Sequence, residues 1–291
     1  RTTAITEGVE EYFWIKFTFF IFMNKIRLVL GIEYDGSHFS GWQWQTRHRN
    51  VQQVLEQALS KVANHPVTVQ CAGRTDAGVH ALEQVVHFDV TAKRDLHAWM
   101  CGGNSNLPDD VRITWVKEAI DDFHARYSAI ARFYRYIILN RPIKSALLRN
   151  QVTWCHAPLN ELTMHQAAQH LIGKHDFSSF RAQGCQSKSP CRAMYFIDVY
   201  RQEDKVIIDI SANAFLHHMV RNIAGVLIDI GSGKQTVEWT KELLEIKNRK
   251  LGGLTAPPDG LYLGAVFYPE HYGITKHKIF NKLPVNAQRY T

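Results

Sequence analysis

Two hydrophobic periods alternate along the chain. Residues 26–34 (IRLVLGIEY) form a short apolar run that predicts a buried strand, stopped by the turn Asp35-Gly36. Residues 39–44 then predict a loop that exposes aromatics beside glycine. From Asn50 the period lengthens. Val51, Val54, Leu55, Ala58, Leu59 and Val62 recur at helical spacing, with Asn50 and Gln53 as a capping-box-like start. Residues 67–70 and 85–90 read as strands flanking a glycine-bracketed loop. A second helix is expected from about Lys93, and Asn106-Leu-Pro-Asp-Asp110 breaks the chain before a strand at 111–116. The predicted order is βαββαβ.

The second half predicts the same order. Residues 131–139 alternate as a strand, and Asn160 caps a helix striped by Met164, Ala167, Ala168, Leu171 and Ile172, ended by Gly173. Residues 195–200 and 206–210 form a hairpin. Leu216, Met219, Val220, Ile223, Leu227 and Ile230 belong to a helix apolar on most sides, and residues 261–267 close as a strand. The expected fold is α+β. It has two ferredoxin-like or RNP-like βαββαβ units sharing a long mixed, mainly antiparallel sheet, with helices on one face and a cleft between the units. The other face is expected to be a broad open surface of the sort RNA-binding sheets use. The units divide as 23–130, carrying the glycine-bracketed loop, and 131–291. Residues 12–23 are strongly apolar but too short to span a bilayer, contain Lys16 and follow acidic residues. They predict no membrane span; Met23 reads as the natural start, with 1–22 an extraneous or disordered extension. The tail beyond Pro269 reads as loosely docked.

At 291 residues one large or two moderate domains are expected. Apolar content of 45% and charged content of 21% exclude a disordered chain. The net charge of +7 favours an anionic partner, nucleic acid ahead of membrane. Five scattered cysteines without a C-x-x-C pair argue against a disulfide framework or zinc ribbon and for a reducing cytoplasm.

Candidate chemistry concentrates at Cys71-Ala-Gly-Arg-Thr-Asp-Ala-Gly-Val-His-Ala81. Gly73 and Gly78 allow a tight turn and close approach of a large ligand, and Arg74 and Asp76 lie two apart. This is either a turn with a solvated ion pair or a site. Arg221, in the apolar helix, calls for a carboxylate or phosphate partner. Arg132, Tyr134 and Tyr136 share one strand face and suit stacking on bases and holding phosphates, unless that face is merely solvated. Gly231-Ser-Gly-Lys-Gln235 follows a helix, lacks Ser/Thr after Lys, and reads as a helix-ending turn, not a phosphate loop. His217-His218 and Cys155-His156 lack metal-ligand spacing, so no metal is expected.

With these residues in hand, the chain resembles the tRNA pseudouridine synthases of the TruA family. The matching stretches are residues 34–43 (YDGSHFSGWQ), 73–81 (GRTDAGVHA), 123–129 (FHARYSA), 132–136 (RFYRY), 175–180 (HDFSSF), 213–222 (NAFLHHMVRN) and 260–264 (GLYLG). They occur in the family's order between Ile26 and Pro269; Glu83, Ala212 and Cys191 depart from its usual residues. The resemblance implies an isomerase (intramolecular transferase) converting uridine to pseudouridine at positions 38, 39 and 40 of the tRNA anticodon stem-loop. It implies no metal or cofactor and a homodimer. Asp76 would be the nucleophile, attacking C1′ or abstracting a C2′ proton, and Arg221 would pair with it. Tyr134 would lie against the flipped uracil as candidate base for its C5 proton, and Arg74 would fill the space left by the base. Arg94, the residues Phe123, His124, Ala125, Arg126 and Tyr127, and the loop Gly184, Cys185, Gln186, Ser187 and Lys188 would hold RNA. The alternatives are a non-catalytic tRNA-binding or folding protein and, in a poorer third place, a ferredoxin-like metabolic or metal-handling domain.

Overall fold

The computed structural model describes residues 25–274; the expectations for residues 1–22 and for the chain after 274 lie outside the described residues. The first half runs β1 (Ile26–Tyr34), α1 (Val51–Ala63), β2 (Gln70–Cys71), β3 (His80–Val90), α2 (Leu96–Asn106) and β4 (Val111–Ala119). The second runs β5 (Ala131–Asn140), β6 (Thr153–Cys155), α3 (Glu161–Gln169), β7 (Gly173–Asp176), β8 (Cys191–Gln202), β9 (Lys205–Ala212), α4 (Met219–Gly231), α5 (Trp239–Ile246) and β10 (Leu261–Phe267).

All ten strands join one sheet in the order β4-β1-β3-β10-β5-β9-β8-β7, with β2 on β3 and β6 on β5. Each half contributes the same pattern of neighbours, β4-β1-β3-β2 and β10-β5-β9-β8, as two split βαβ units set side by side predict. Pairing is antiparallel except at β5–β6 and at the seam between the halves. There β3 divides its edge. His80 and Ala81 pair in parallel with Tyr262 and Leu263 of β10, while Val86 and His87 pair with Cys71 and Gln70 of β2. The link from β2 to β3, residues 72–79, therefore emerges where the units meet.

Local sequence accounts for most of these elements. Asn50 Oδ1 accepts the Gln53 N–H at 2.9 Å and caps α1; Asn160 Oδ1 accepts from Leu162 and Thr163 and caps α3. Leu28, Leu30 and Ile32 of β1 share a core with Leu55 and Leu59 of α1 and Trp99 of α2. Tyr136, Ile208 and Ile210 share it with Val220, Ile223 and Leu227 of α4. The turn after Gly231 is a helix ending, with Ser232 N–H donating to Ile228 O and Gly233 N–H to Ile230 O.

Three expectations are corrected. Gly173 does not end α3; at φ +107° it opens β7. Phe39 and Trp42 are buried at 4% and 2% exposure, leaving only Trp44 of that loop's aromatics outside. The short strands β6 and β7 and the eight-residue α5 carry too few residues to show a period. Finally, the face opposite Tyr134 is not an open platform: Ala131, Phe133, Ala193, Tyr195, Ala265 and Phe267 form a buried apolar cluster there.

Candidate active site

The loop 72–79 is held from both sides before any ligand arrives. Gln84 Nε2 donates to Gly73 O at 2.6 Å, and Tyr34 Oη and Thr75 Oγ1 are hydrogen-bonded at 2.7 Å. The turn 35–42 clasps the loop's back: Trp42 N–H donates to Thr75 O at 3.0 Å and Gly78 N–H to Phe39 O at 3.3 Å. This approach requires glycine. At Gly41, φ is +89° and an added Cβ would sit 2.8 Å from Thr75 O; at Gly36 it would sit 2.0 Å from Val79 O. The matching stretches 34–43 and 73–81 are thus two halves of one clamp, and Asp76 is its tip.

The Asp76 side chain is 24% exposed and meets three side chains from the other unit. Arg221 Nη1 donates to Oδ2 at 3.2 Å; His218 Nε2 lies 3.3 Å from Oδ2 and His217 Nε2 3.4 Å from Oδ1. Arg221 is aimed by the segment that crosses α4. Its Nε donates to Ala256 O at 2.8 Å, and its own carbonyl accepts the Ala256 N–H at 3.1 Å. That crossing needs Gly225, where a Cβ would fall 1.8 Å from Leu254 O.

The two histidines were passed over in the sequence because their spacing suits no metal. The signal that locates them is their place immediately before α4, three and four residues ahead of Arg221, where the chain turns into that helix. With Asp76 they offer donor atoms within 4.8 Å of one another, a set of the right kind for a cation. Arg221 already brings a positive charge to that carboxylate and works against a second one.

Tyr134 borders the same space: a Cβ built on Gly73 would lie 3.8 Å from its hydroxyl. Phe215 packs edge-on to its ring, with centroids 5.1 Å apart. Its strand neighbours do not join it as a nucleic-acid face. Tyr136 is fully buried and bonded to Thr153 and the Pro257 carbonyl. Arg132 is 8% exposed and spends its guanidinium on four backbone carbonyls, those of Ala72, Arg126, Ala129 and Asn213.

The remaining predicted contacts divide by burial. Arg74, Arg94, Arg126, Tyr127, Gly184, Gln186 and Lys188 are exposed, Tyr127 at 77%. Phe123 and Ala125 are fully buried, so their side chains hold the loop in place and do not face a ligand. His87 on β3 accepts the Ala125 N–H at 3.1 Å, and His124 Nδ1 accepts the N–H groups of Arg126 and Tyr127. Burial pulls the His124 imidazole below its ordinary range, which suits that acceptor role. In the other loop Arg181 Nη2 donates to the carbonyls of Cys185 and Ser187, and Cys185 Sγ accepts the His217 N–H at 3.5 Å. Burial pushes the Cys185 thiol up. The His217 N–H and further donors from Ser187 and Arg181 outweigh it and hold the thiol below its ordinary value.

The three departures lie outside the Asp76 cluster. Glu83 is buried and accepts from Trp115 Nε1 at 3.2 Å, Ala212 pairs with Arg132 within the sheet, and Cys191 is exposed at the start of β8.

This geometry offers a carboxylate at an open seam, an arginine holding it, two imidazoles, a phenol and basic loops contributed by both units. The family described as tRNA pseudouridine synthase matches residues 31–128 and 167–269. A protein of Methylococcus capsulatus named tRNA pseudouridine synthase A is 58% identical over 265 residues, covering 91% of this chain and 98% of its own. Proteins of the same name are 57% identical in Nitrosococcus oceani and 56% identical in Coxiella burnetii. Each alignment covers 86% of this chain, with 97% and 96% of the relatives' own lengths. By this extent of match the chain belongs to the tRNA pseudouridine synthase family.

Proposed function

We propose that this chain isomerises uridine to pseudouridine at positions 38, 39 and 40 of the tRNA anticodon stem-loop, with Asp76 as nucleophile. The observation that carries the reading is Asp76 at the seam, held by Arg221 from the opposite unit at 3.2 Å. The reaction breaks N1–C1′ with its electron pair leaving on uracil, turns the base, and rejoins C5 to C1′. The carboxylate acts by attacking C1′ or by taking a C2′ proton to give a glycal. The C5 proton then leaves and N1 gains one, so no atom is added or lost overall. An isomerisation of this kind calls for neither a redox nor a group-carrying cofactor.

Arg221 orients the carboxylate through its donated hydrogen bond. Arg74, exposed beside Asp76, enters the space vacated when the base is extruded, an event costing a few kcal/mol. Arg94, Arg126, Tyr127 and the 184–188 loop supply the electrostatic contacts to the RNA backbone. Tyr134 forms a wall against the flipped uracil. As proton acceptor it is poorly suited. Burial holds its phenol well above the ordinary range; Arg132 opposes the rise and Asp76 adds to it, so the group stays protonated. The units 23–130 and 131–291 act together, in a cytoplasmic homodimer whose symmetry extends the basic surface.

The test is release of tritium from C5 of labelled tRNA uridine. Asp76→Asn and Asp76→Ala are expected to fall to background while still binding tRNA. Robust release by either variant refutes the nucleophile assignment.

A further inference from the structure

The proton that leaves C5 needs an acceptor, and the surroundings of Asp76 limit the choice. On either route C1′ lies within about 3–4 Å of the Asp76 carboxylate while bonds exchange. C5 ends bonded to that same carbon. A base touching the carboxylate is therefore in the neighbourhood of the carbon to which C5 becomes bonded. Two imidazoles meet this condition, His217 at 3.4 Å and His218 at 3.3 Å from the carboxylate oxygens. On the isomerase reading above, we propose that His218 accepts the C5 proton at Nε2 once the carbon–carbon bond has formed. His217, its ring 4.0 Å away and its side chain 46% exposed, passes the proton to solvent.

The step balances. The electron pair of the C5–H bond moves into the ring to form C5=C6, the N1=C6 pair collapses onto N1, and N1 takes a proton from water. The imidazolium left on His218 returns its proton through His217.

Three features support His218 over its neighbours. Its backbone is left-handed, with φ +59° at the residue before α4, a conformation that is strained for an imidazole-bearing residue. The fold holds it there: Asn222 N–H donates to His218 O at 2.8 Å, and the preceding His217 is tied through its carbonyl to Ala182 N–H and through its N–H to Cys185 Sγ. It is also the more enclosed of the pair, its side chain 28% exposed. The charged groups facing it are Asp76 from the loop, Arg221 from α4, Arg249 from the segment crossing α4, and His217 beside it. Burial lowers its imidazole pKa, Asp76 opposes this, and the cations add to the fall, so the ring is neutral and able to accept at neutral pH.

The experiment compares His218→Gly and His218→Asn with the unaltered protein on three tRNAs, carrying uridine, 5-deuterouridine or 5-fluorouridine. Both replacements tolerate a left-handed backbone, so neither is expected to unfold. On uridine kcat is expected to fall about 10²–10⁴-fold with KM within threefold. A deuterium isotope effect at C5 emerges that exceeds that of the unaltered protein, and added imidazole restores turnover to His218→Gly. Bond exchange on 5-fluorouridine, which has no C5 proton to lose, stays within threefold. Equal loss on uridine and 5-fluorouridine, unchanged isotope effects, or full activity of either variant overturns the assignment. Failure of the unaltered protein to convert uridine counts instead against the isomerase reading on which the proposal rests.

Discussion

Arg132 offers the clearest contest between a binding role and a structural one. As a basic residue beside Tyr134 it suits holding a phosphate; in the structure it is 8% exposed and rivets three separate segments. Its Nη2 donates to the carbonyls of Ala72, which leads into the Asp76 loop, and Arg126, in the 123–127 loop. Its Nη1 donates to Ala129 O at 3.1 Å and to Asn213 O at 2.8 Å, the latter four residues before His217. Burial lowers its pKa, so the four carbonyls are what compensates the buried charge. A buried carbonyl stripped of its donor costs about 1–3 kcal/mol, and water reaching some of the four offsets part of the sum. Arg132→Met is therefore expected to destabilise the fold by roughly 4–6 kcal/mol, lowering the thermal midpoint by about 10–20 °C. Arg132→Lys, which keeps the charge but not the fork, should fall in between. Urea unfolding at constant m-value measures this. A stability change below about 0.5 kcal/mol, with weaker tRNA binding and a shallower salt dependence, would refute the structural account and restore Arg132 to the RNA-binding surface.

Gly41→Ala is expected to cost about 1–3 kcal/mol and to lower kcat, because it adds left-handed strain and presses on Thr75 O beside Asp76. Gly233→Ala, at φ +76° with nothing within 4 Å, carries only the strain and should leave kcat unchanged; equal kcat for both variants would argue against the clamp. Burial, with His124 and Arg27, pushes the His87 imidazole down to about 4, whereas the unfolded chain takes up that proton below about 6.5. Stability present above pH 6.5 should thus be lost progressively down to pH 4, by roughly 2–3 kcal/mol from this group. His87→Gln, which keeps an acceptor for the Ala125 N–H, should flatten that limb of the urea midpoint against pH, and an unchanged limb would rule His87 out as its source.

Much of this architecture is legible in the chain because each long element obeys one period. The stripe from Val51 to Val62 and the apolar face from Met219 to Ile230 can be only helices, and their spacing fixes which side is buried. What escapes is decided by tertiary packing. Whether Arg132 faces solvent depends on four carbonyls far apart in sequence, and whether Phe123 greets RNA depends on a pocket made by His87, Tyr268 and Tyr272. Asp76 and Arg221 stand out singly, one by its glycines and the other by being charged in an apolar helix. His217 and His218 carry no comparable mark, because their importance comes from a carboxylate delivered by the opposite unit.

The position of β10 has a consequence for synthesis of the protein. It is the last described strand along the chain, yet it lies in the middle of the sheet, between β3 and β5. Until residues 261–267 have emerged, β3 at His80 and Ala81 and β5 from Ala131 to Tyr136 present unpaired stretches of edge, beside those that β2 and β6 cover, and the two units have no shared strand to align them. The chain therefore cannot mature half by half. A product cut short before Leu261 would carry Asp76 and Arg221 both, but without the strand that sets them face to face. It would be an inert species with two adhesive edges, fit for degradation or aggregation, so that appearance of activity marks completion of the whole sheet.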